Sequence, residues 1–559
     1  MVGILGVAAI TDYCCIMLLN VKDALIARER QSQTTSDDLK ESTALTVDGN
    51  KYAPMLPKTV SSSSSSSSSS SQFASKRQSV MDGDSLETSL LKERVSVVES
   101  LPLTDAMSDE NMLSMHFSTY QDVIFRLWGW GGKILVLTFL FLTQFGFCVG
   151  YFVFLIQTTL TMIHPSLYLS SLTPPWIIRW VLPFVIGCVF MLLLIPTVLL
   201  KRVKLMSPIS ALANTFIVIG LLLFSAYNMS VLGERAVEAE QTGNLHNFFE
   251  NTSLVNIWTF PLFFGIMTSS FEGIGLVIPI SHSMHQYSSR YRVLLHVVIA
   301  ILLGILVFFG AGSYIAFQED TQQVITANLP TSLPGGYLTL VIKICLLMGI
   351  LATYPLQMFP VAEIMDNLLV VPLKKLILQR NHSEHVEAND TVELPVEEMG
   401  AERAETAANV DTETSKSFYQ TIRSDLLAYV DPIPNAIRIV LVFITMFLAV
   451  LIPFFGYISA LIGSFGSSML AYILPASLHL HMNIIKYREM REGEREKEKD
   501  KDYVPLQSQS AARAWLIVNC LKDVGVIIFG FTVMIVGTIV AIYSIIDALF
   551  PTETNEVIH

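Results

Sequence analysis

Ten long apolar segments dominate this chain of 559 residues, and few folds can accommodate them. A helix crosses the hydrocarbon core of a bilayer with about 20 consecutive apolar residues. Because no water is available there, each segment must satisfy its own backbone hydrogen bonds, which predicts an all-α polytopic membrane bundle. The segments lie at 2–20, 134–158, 176–200, 207–229, 257–281, 293–317, 337–360, 436–454, 457–478 and 514–548.

The composition agrees with a membrane protein and excludes several other classes. Hydrophobic residues make up 52% of the chain and charged residues 15%, against about 25% charged in soluble domains. The net charge of −12 argues against nucleic-acid binding. All six cysteines lie in apolar segments, without the spacing of a metal site or a disulfide framework. We therefore expect no metal and no bound cofactor.

Polar regions divide the chain into six parts. Residues 21–132 contain a serine run at 61–71 and few periodic apolar positions, which predicts a disordered loop with one short amphipathic helix at 112–130. A second polar loop is predicted at 374–433. The parts in order are a span at 1–20, the loop 21–132, a membrane core at 133–373, the loop 374–433, a membrane core at 434–549 and a tail at 550–559.

The distribution of Lys and Arg predicts the orientation of the bundle. The loops around 201–204 and 486–501 are rich in basic residues, whereas 161–175 and 318–336 contain none. Cytoplasmic loops carry the excess of basic residues. This places both polar loops in the cytoplasm and both termini outside the cell or in a lumen.

One span carries an ionisable residue next to two glycines. Residues 269–280 read SSFEGIGLVIPI, with Glu272, Gly273 and Gly275 inside the apolar segment 257–281. A charged side chain in a membrane segment is costly and marks a functional site by default. Loosened backbone is tolerated at that depth only where it is buried in protein or lines a cavity. The pattern predicts a polar cavity at this point.

The stretch FPLFFGIMTSSFEGIGLVIPI (260–280) resembles the sixth helix of the amino acid/auxin permease family, the amino acid transporter transmembrane domain. Within it, the sequence is most similar to proton-coupled amino acid transporters and vacuolar amino acid exporters. Five further stretches match other family helices in the right order. They are LTQFGFCVGYFVFL (142–155), LIPTVLLKRVKLMSPISALAN (194–214), ATYPLQMFPVAEI (352–364), LIPFFGYISALIGSFGSSMLAYILP (451–475) and KDVGVIIFGFTVMIVGT (522–538).

The resemblance implies a leucine-transporter-like fold built from two inverted five-helix repeats. In such folds the substrate lies near the midplane between two discontinuous helices. Family members have eleven helices, and segment 2–20 resembles the second of them. We therefore expect an amino-terminal truncation, whether from an incomplete gene model, an alternative start or a real short form. A chain without the first helix would lack half of the site and could be inactive.

The resemblance also assigns a substrate-binding segment. Gly273 and Gly275, with Ile274 between them, are expected at the unwound point, where free backbone groups bind an amino acid. The alternative is close helix packing by small residues. Ser269, Ser270 and Phe271 flank this point, and the alternative for the two hydroxyl groups is bonding to the preceding turn.

Two acidic residues are candidates for proton coupling. Glu272 would carry the coupling proton or bind the substrate amino group, and its alternative is a structural carboxyl group bonded to a neighbouring helix. Asp12 lies in the middle of segment 2–20. It would pair with a basic group, face a water-filled vestibule or indicate that the segment is marginal.

Two other helices are expected to line the site. Gln144 and Tyr151 are seven residues apart and share one helix face. Thr353 and Tyr354, with Gln357, lie on the segment that resembles the eighth family helix. For all of them, hydrogen bonding between helices is the alternative.

Several short motifs bear on modification and sorting. Asn228 and Asn251 begin Asn-x-Ser sequons on the predicted luminal side, where glycosylation is expected. Tyr419 and Tyr503 begin tyrosine-based motifs on the predicted cytoplasmic side. These motifs indicate sorting adaptors as partners and a vacuolar or lysosomal membrane rather than the plasma membrane.

The favoured function is proton-coupled secondary transport of amino acids, with small or neutral substrates and alternating access. No nucleotide-binding loop of the GxxxxGK[ST] type occurs in the sequence, which argues against a primary pump. An amino acid sensor or scaffold that binds without net transport is the main alternative. An intramembrane enzyme would need a second catalytic group on a helix facing Glu272, and an ion channel would need a ring of like-charged pore residues. The sequence indicates neither feature.

Overall fold

The computed structural model describes residues 2–48, 117–168, 177–199, 203–241, 257–284, 288–330, 336–370, 372, 432–497 and 507–550. Across these ranges the chain is helical almost throughout and contains no β-strand. Met1–Lys22 and Thr119–His559 form one compact unit, and Asp23–Ser118 form another.

The α-helices follow one another along the whole chain. They are α1 (Val2–Asp48), α2 (Tyr120–Tyr168), α3 (Leu182–Val198), α4 (Val203–Gln241), α5 (Phe260–Ser270), α6 (Ile274–Ser283), α7 (Ser288–Phe317), α8 (Gly336–Met365), α9 (Pro432–Leu451), α10 (Phe455–Leu461), α11 (Leu474–Lys497), α12 (Gln507–Thr532) and α13 (Thr538–Leu549). Short π-helical turns occupy Ile177–Val181, Asp366–Val370, Ile462–Ser467, Met469–Ile473 and Val533–Gly537, and 3₁₀ turns occupy Gln318–Asp320 and Ile325–Asn328.

Ten stretches of the described residues are long and apolar enough to cross a membrane. Each overlaps one of the ten predicted segments, which confirms the all-α polytopic bundle. Helices α5 and α6 together supply one span, Phe260–Ser283. The inverted repeat and the orientation of the bundle stay predictions.

The first helix is longer than its apolar segment. The sequence predicted a span at 1–20 and a disordered loop from residue 21, but α1 continues to Asp48. Within the predicted loop, residues 21–48 are therefore helical in this structure. No glycine or proline, the residues least compatible with a helix interior, occurs between these positions. Residues 49–116 lie outside the described residues.

A capping interaction and a glycine shape the start of α2. The Thr119 N–H donates to Asp122 Oδ2 at 3.0 Å, and the Asp122 N–H approaches Thr119 Oγ1 at 3.3 Å. This reciprocal pairing resembles a capping box and fixes the first turn. At Gly129 the backbone has φ 66°, a conformation that only glycine adopts at little cost. The predicted helix at 112–130 thus corresponds to 120–128, ahead of this kink.

One apolar cluster holds α2, α8 and α9 together. Phe152 on α2, Tyr354 and Met358 on α8, and Val442 and Met446 on α9 are all fully buried in it. Between membrane helices, close packing of this kind supplies much of the association energy, since lipid tails are as apolar as the side chains. The cluster forms one side of the framework around the broken helix α5–α6.

Candidate functional site

The helix that carries Glu272 is interrupted at the predicted point. Helix α5 ends at Ser270 and α6 begins at Ile274, so Phe271, Glu272 and Gly273 lie outside both helices. The last turn of α5 is closed by the Phe271 N–H, which donates to the Met267 carbonyl oxygen at 3.1 Å. At such a break, carbonyl groups at the end of one helix and N–H groups at the start of the next lack intrahelical partners.

The glycines have different places at this break. Gly273 lies within it, is exposed and has an extended φ of 171°. Its carbonyl oxygen accepts a hydrogen bond from the Leu276 N–H at 3.0 Å, which starts α6. Gly275 lies in the first turn of α6, and Ile274 is buried with 2% of its surface exposed. The break is therefore present at Gly273, whereas Gly275 is helical.

The Glu272 side chain is only partly buried and has no hydrogen bond or ion pair with any other described residue. Tyr151 on α2 lies close enough to interact with it electrostatically. Helix α6 also packs against α2. A carboxyl group in a membrane span normally has a partner, because leaving it without one is costly. Glu272 therefore has the full capacity of its carboxyl group available for a ligand or a proton.

Helix α5 is held by backbone contact with the Ile462–Ser467 turn. A side chain on Gly463 would overlap the Gly265 carbonyl group, and one on Gly265 would overlap Ser464 and the Ala460 carbonyl group. Glycine at both positions lets the two backbones touch, which is how small residues allow membrane helices to approach closely. This crossing lies between one and two turns before the break and holds α5 against the Ile462–Ser467 turn.

The residues just before the break are bonded or packed within the bundle. The hydroxyl groups of Ser269 and Ser270 both donate to the Ile266 carbonyl oxygen at 2.8 Å. Each hydroxyl has one proton and has used it, so it can only accept a further hydrogen bond. Phe271 is buried, with 6% of its surface exposed, and packs in a cluster with Val7 and Ala8 of α1.

Helices α2 and α8 meet through the polar residues predicted to line the site. Gln357 Nε2 donates to Gln144 Oε1, so these two side chains are paired across the helices. Thr353 Oγ1 donates to the Gly349 carbonyl oxygen of its own helix at 2.8 Å. Both observations match the alternative interpretation of these residues, which is bonding within and between helices.

Tyr354 belongs to the core rather than to a ligand surface. Its side chain is fully buried and lies edge-on to Phe152, with ring centroids 5.1 Å apart. Thr445 donates to the Val442 carbonyl oxygen, so the Tyr354 hydroxyl group donates to Thr445 Oγ1 at 2.8 Å. Substrate binding by Tyr354 stays a prediction, and in this structure the ring is packed and the hydroxyl group is paired within the bundle.

Asp12 pairs with a basic group, one of the options that its sequence left open. Its carboxylate oxygens lie 2.7 Å and 2.8 Å from Nδ1 of His296 on α7. His296 is 52% exposed and Asp12 26% exposed. The pair therefore joins α1 to α7 at the periphery of the bundle, and a role in proton coupling stays a prediction.

Glycosylation at Asn228 stays a prediction, and the structure places this side chain inside the bundle. Asn228 lies within α4, has 2% of its surface exposed and donates to Ser313 Oγ at 2.9 Å. A glycan needs an exposed asparagine, and this side chain faces α7 because it satisfies a buried serine. Asn251, Tyr419 and Tyr503 lie outside the described residues.

A chain of hydroxyl groups beside α5 was not anticipated. Tyr472 donates to Thr268 Oγ1 at 3.4 Å, and Thr11 approaches the Tyr472 hydroxyl group at 3.3 Å. All three side chains are buried. They connect α1 and the Met469–Ile473 turn to the helix that carries the break. Hydroxyl residues are common in membrane helices, so the sequence offered no signal for this particular chain.

A buried carboxyl group with two partners was also missed. Asp523 on α12 contacts His479 and Asn483 on α11 and has no exposed surface. The rule that singles out Glu272 applies equally to Asp523, which lies within the apolar segment 514–548. Its partner His479 lies just beyond the predicted end of segment 457–478, so the sequence provided no reason to place the two residues side by side in the membrane.

Comparisons with known proteins agree with this architecture. The model of the family described as transmembrane amino acid transporter protein matches residues 107–499. Vacuolar amino acid transporter 4 of Saccharomyces cerevisiae is 26% identical over 265 residues, which are 47% of this chain and 34% of the relative. Vacuolar amino acid transporter 3 of the same yeast is 28% identical over 248 residues, 44% of this chain and 33% of the relative.

A plant protein matches over a longer stretch. Amino acid transporter ANT1 of Arabidopsis thaliana is 25% identical over 368 residues, 65% of this chain and 68% of the relative. The matched part thus spans about a third of the length of the two yeast relatives.

Proposed function

Because the chain belongs to the transmembrane amino acid transporter family, we propose that it carries small or neutral amino acids across a membrane by proton-coupled secondary transport. The observation that carries this proposal is the interrupted helix α5–α6 with the unpartnered Glu272 carboxyl group in the break. A regular helix would offer neither free backbone groups nor a reason to hold a carboxyl group in the membrane.

The break can recognise both charged ends of an amino acid. The amino-terminal end of α6 presents N–H groups and a positive dipole end, which favour the substrate carboxylate. The carboxyl-terminal end of α5 presents carbonyl oxygens, and these, with Glu272, favour the ammonium group. A pocket built on backbone groups is compatible with substrates whose side chains are small.

Glu272 is proposed to couple the substrate to a proton. When protonated it is neutral and can be moved through a poorly solvated site at low cost, whereas the ionised form strongly prefers water or a cation. Tyr151 is the polar side chain near it on the facing helix. A cycle in which proton and substrate bind together would let a proton gradient drive accumulation.

Alternating access requires that part of the bundle move while the site stays intact. Helix α5 is fixed to the Ile462–Ser467 turn by the Gly265–Gly463 crossing, and α6 packs against α2 and α7. We propose that the break is the hinge, with α6 moving relative to α5. Rocking of one group of helices against another is the usual mode of such transporters.

A vacuolar or lysosomal membrane is the proposed location. Two relatives from yeast are named as vacuolar transporters, and such compartments are acidified, so a proton gradient is present. Fluorescence microscopy of the tagged full chain beside a vacuolar marker tests this directly. Labelling confined to the plasma membrane would contradict it.

The transport proposal is tested by uptake into proteoliposomes that contain the full chain. An inward proton gradient should accelerate uptake of a labelled neutral amino acid, and Glu272→Gln should remove most of that acceleration, with a loss of about 100-fold. Asp547→Asn on α13 is the matched control, since this side chain is also acidic and half-buried in a span. Equal rates and equal pH dependence in wild type and Glu272→Gln would exclude Glu272 from coupling.

An amino acid sensor that binds without net transport is the second candidate. The Gln144–Gln357 pair and the Asp12–His296 pair tie α2 to α8 and α1 to α7, as a bundle that does not rock would require. Equilibrium binding and uptake, measured on the same proteoliposomes, separate the two functions. Saturable amino acid binding without uptake under any proton gradient would favour the sensor.

A further inference from the structure

Helices α11 and α12 hold a second ionisable group at a distance from the break. Asp523 has no exposed surface and lies ten residues inside the candidate span Arg513–Leu549. His479 and Asn483 are four residues apart on α11, so they lie on one face of that helix. Both of them contact the Asp523 carboxyl group.

The contacts are close enough for one proton to be shared. His479 Nδ1 lies 3.0 Å from Asp523 Oδ1 and 2.9 Å from Oδ2. Asn483 Nδ2 lies 3.1 Å from Asp523 Oδ2 and 3.2 Å from His479 Nδ1. The amide group of Asn483 therefore stands beside both atoms between which the proton would move.

Three arrangements of protons fit these positions. In the ion pair, the proton on Nδ1 is donated to the carboxylate, and Asn483 donates to Oδ2. In the neutral pair, the same proton has moved from Nδ1 to a carboxyl oxygen, so charge and atom count are unchanged. In the third, the ring has lost the proton on Nε2 while Nδ1–H still donates to the carboxylate, which leaves a net charge of −1.

The imidazole ring of His479 lies nearer the surface of the protein than the Asp523 carboxyl group. His479 is 14% exposed, whereas Asp523 is completely buried behind it. The His479 Nε2 atom makes no hydrogen bond with the residues that the structure describes. A proton can thus enter or leave through Nε2 without breaking the contact between α11 and α12.

The neighbouring groups do not supply a competing charge. Tyr13 and Cys14 on α1 and Cys520 on α12 itself lie near enough to interact with Asp523 electrostatically. Tyr472 lies on the Met469–Ile473 turn, which packs against α12, and its ring contacts Phe529. None of these is a basic group, so among the described neighbours His479 is the cation for Asp523.

We infer that His479, Asp523 and Asn483 form a second proton-binding site, which takes up and releases one proton through His479 Nε2 as the protein works. This inference rests on the proposed proton-coupled transport for its role, but not for its existence. A purely structural ion pair would also join the two helices. It would keep the same protonation state across the working pH range, and that difference can be measured.

Infrared difference spectroscopy of the full chain in lipid nanodiscs tests the site without any transport. Spectra at about pH 5 and about pH 8, which bracket the charge change of histidine, should differ by bands of the His479 ring and the Asp523 carboxyl group. His479→Gln should remove the ring bands and Asp523→Asn the carboxyl bands, and Asp547→Asn should retain both. Unchanged difference spectra in the two variants would overturn the inference.

If Asp523→Asn does not fold, Asp523→Glu serves instead, because it keeps the carboxyl group and only displaces it. Its carboxyl band should move in frequency, while a band that stays in place would overturn the assignment. The double variant His479→Gln with Asp523→Asn offers amide groups that can hydrogen-bond between the helices and has no titratable group at this site. It should lack the bands even when its unfolding resembles that of the wild type.

Uptake measurements separate this inference from the proposed function. The ratio of uptake at about pH 5 to that at about pH 8 should fall about tenfold in the double variant. Titration bands in a protein that does not transport would refute the transport proposal and support the proton site. Proton-driven uptake that keeps its pH profile in the double variant would support the transport proposal and overturn the role of the second site in transport.

Discussion

Glu272 and Asp523 are both carboxyl groups in membrane-spanning segments, yet their surroundings are opposite. Glu272 lies in a break between two helices, is partly exposed and has no partner among the described residues. Asp523 lies in the middle of a regular helix, is fully buried and contacts a histidine and an asparagine. A satisfied carboxyl group stabilises the bundle in which it lies, whereas an unsatisfied one is retained for something that binds to it.

The largest expected effect separates these two residues by stability. Asp523→Ala should lower the free energy of unfolding by about 3–5 kcal/mol, because it leaves His479 and Asn483 buried without their acceptor. Glu272→Ala should change it by less than about 0.5 kcal/mol, since no hydrogen bond or ion pair with a described residue is lost. Unfolding in mixed micelles with increasing dodecyl sulfate, followed by circular dichroism, provides both values. Equal losses of stability in the two variants would mean that Asp523 contributes no more to the folded bundle than Glu272.

The second effect concerns how the break is positioned. Gly463→Ala should cost about 1–3 kcal/mol, because its methyl group would overlap the Gly265 carbonyl group and push α5 away. The rate of uptake should fall together with the stability, because the end of α5 would move.

Gly304→Ala on α7 is the matched control for this substitution. Nothing lies within 4 Å of the position that its methyl group would take, so stability should rise by up to about 1 kcal/mol. The same unfolding assay measures both. Similar behaviour of the two variants would mean that the Gly265–Gly463 crossing does not hold α5.

The smallest effect tests whether the polar residues at the break support the helix or the ligand. Ser270→Ala should change the free energy of unfolding by less than about 0.5 kcal/mol, because its hydroxyl group donates only to its own preceding turn. Ser283→Ala is the control, as Ser283 makes the same kind of bond to Ile280. Michaelis constants for uptake sharpen the result. A rise of about tenfold for Ser270→Ala alone, a loss of about 1.4 kcal/mol in binding, would show that this hydroxyl group accepts from the substrate.

The sequence was sufficient for the features that depend on local chemistry. Ten apolar segments predicted ten spans because a bilayer accepts only long apolar helices. The charged residue and the glycines in one span predicted a polar cavity, and the family resemblance of that stretch implied the interruption seen at Gly273. The end of α1 was placed too early, because apolar length defines a span but does not say where a helix ends.

The residues whose surroundings the sequence did not reveal all have a partner far away in the chain. Tyr354 looked like a site residue until Thr445, 91 positions later, was found to hold its hydroxyl group. Asn228 begins a sequon, and the structure shows that its side chain donates a hydrogen bond to Ser313, 85 positions later. Asp523 could be recognised as a paired carboxyl group only from its contact with His479, 44 positions earlier.

By itself, therefore, the sequence determined that this protein is a polytopic helical bundle of an amino acid transporter family with one broken helix. It did so because membrane insertion, helix interruption and family motifs each depend on residues that are consecutive in the chain. Only the tertiary structure decided which carboxyl group is satisfied and which is open. Hydrogen-bond partners come from other helices, and helix packing alone determines which side chains meet.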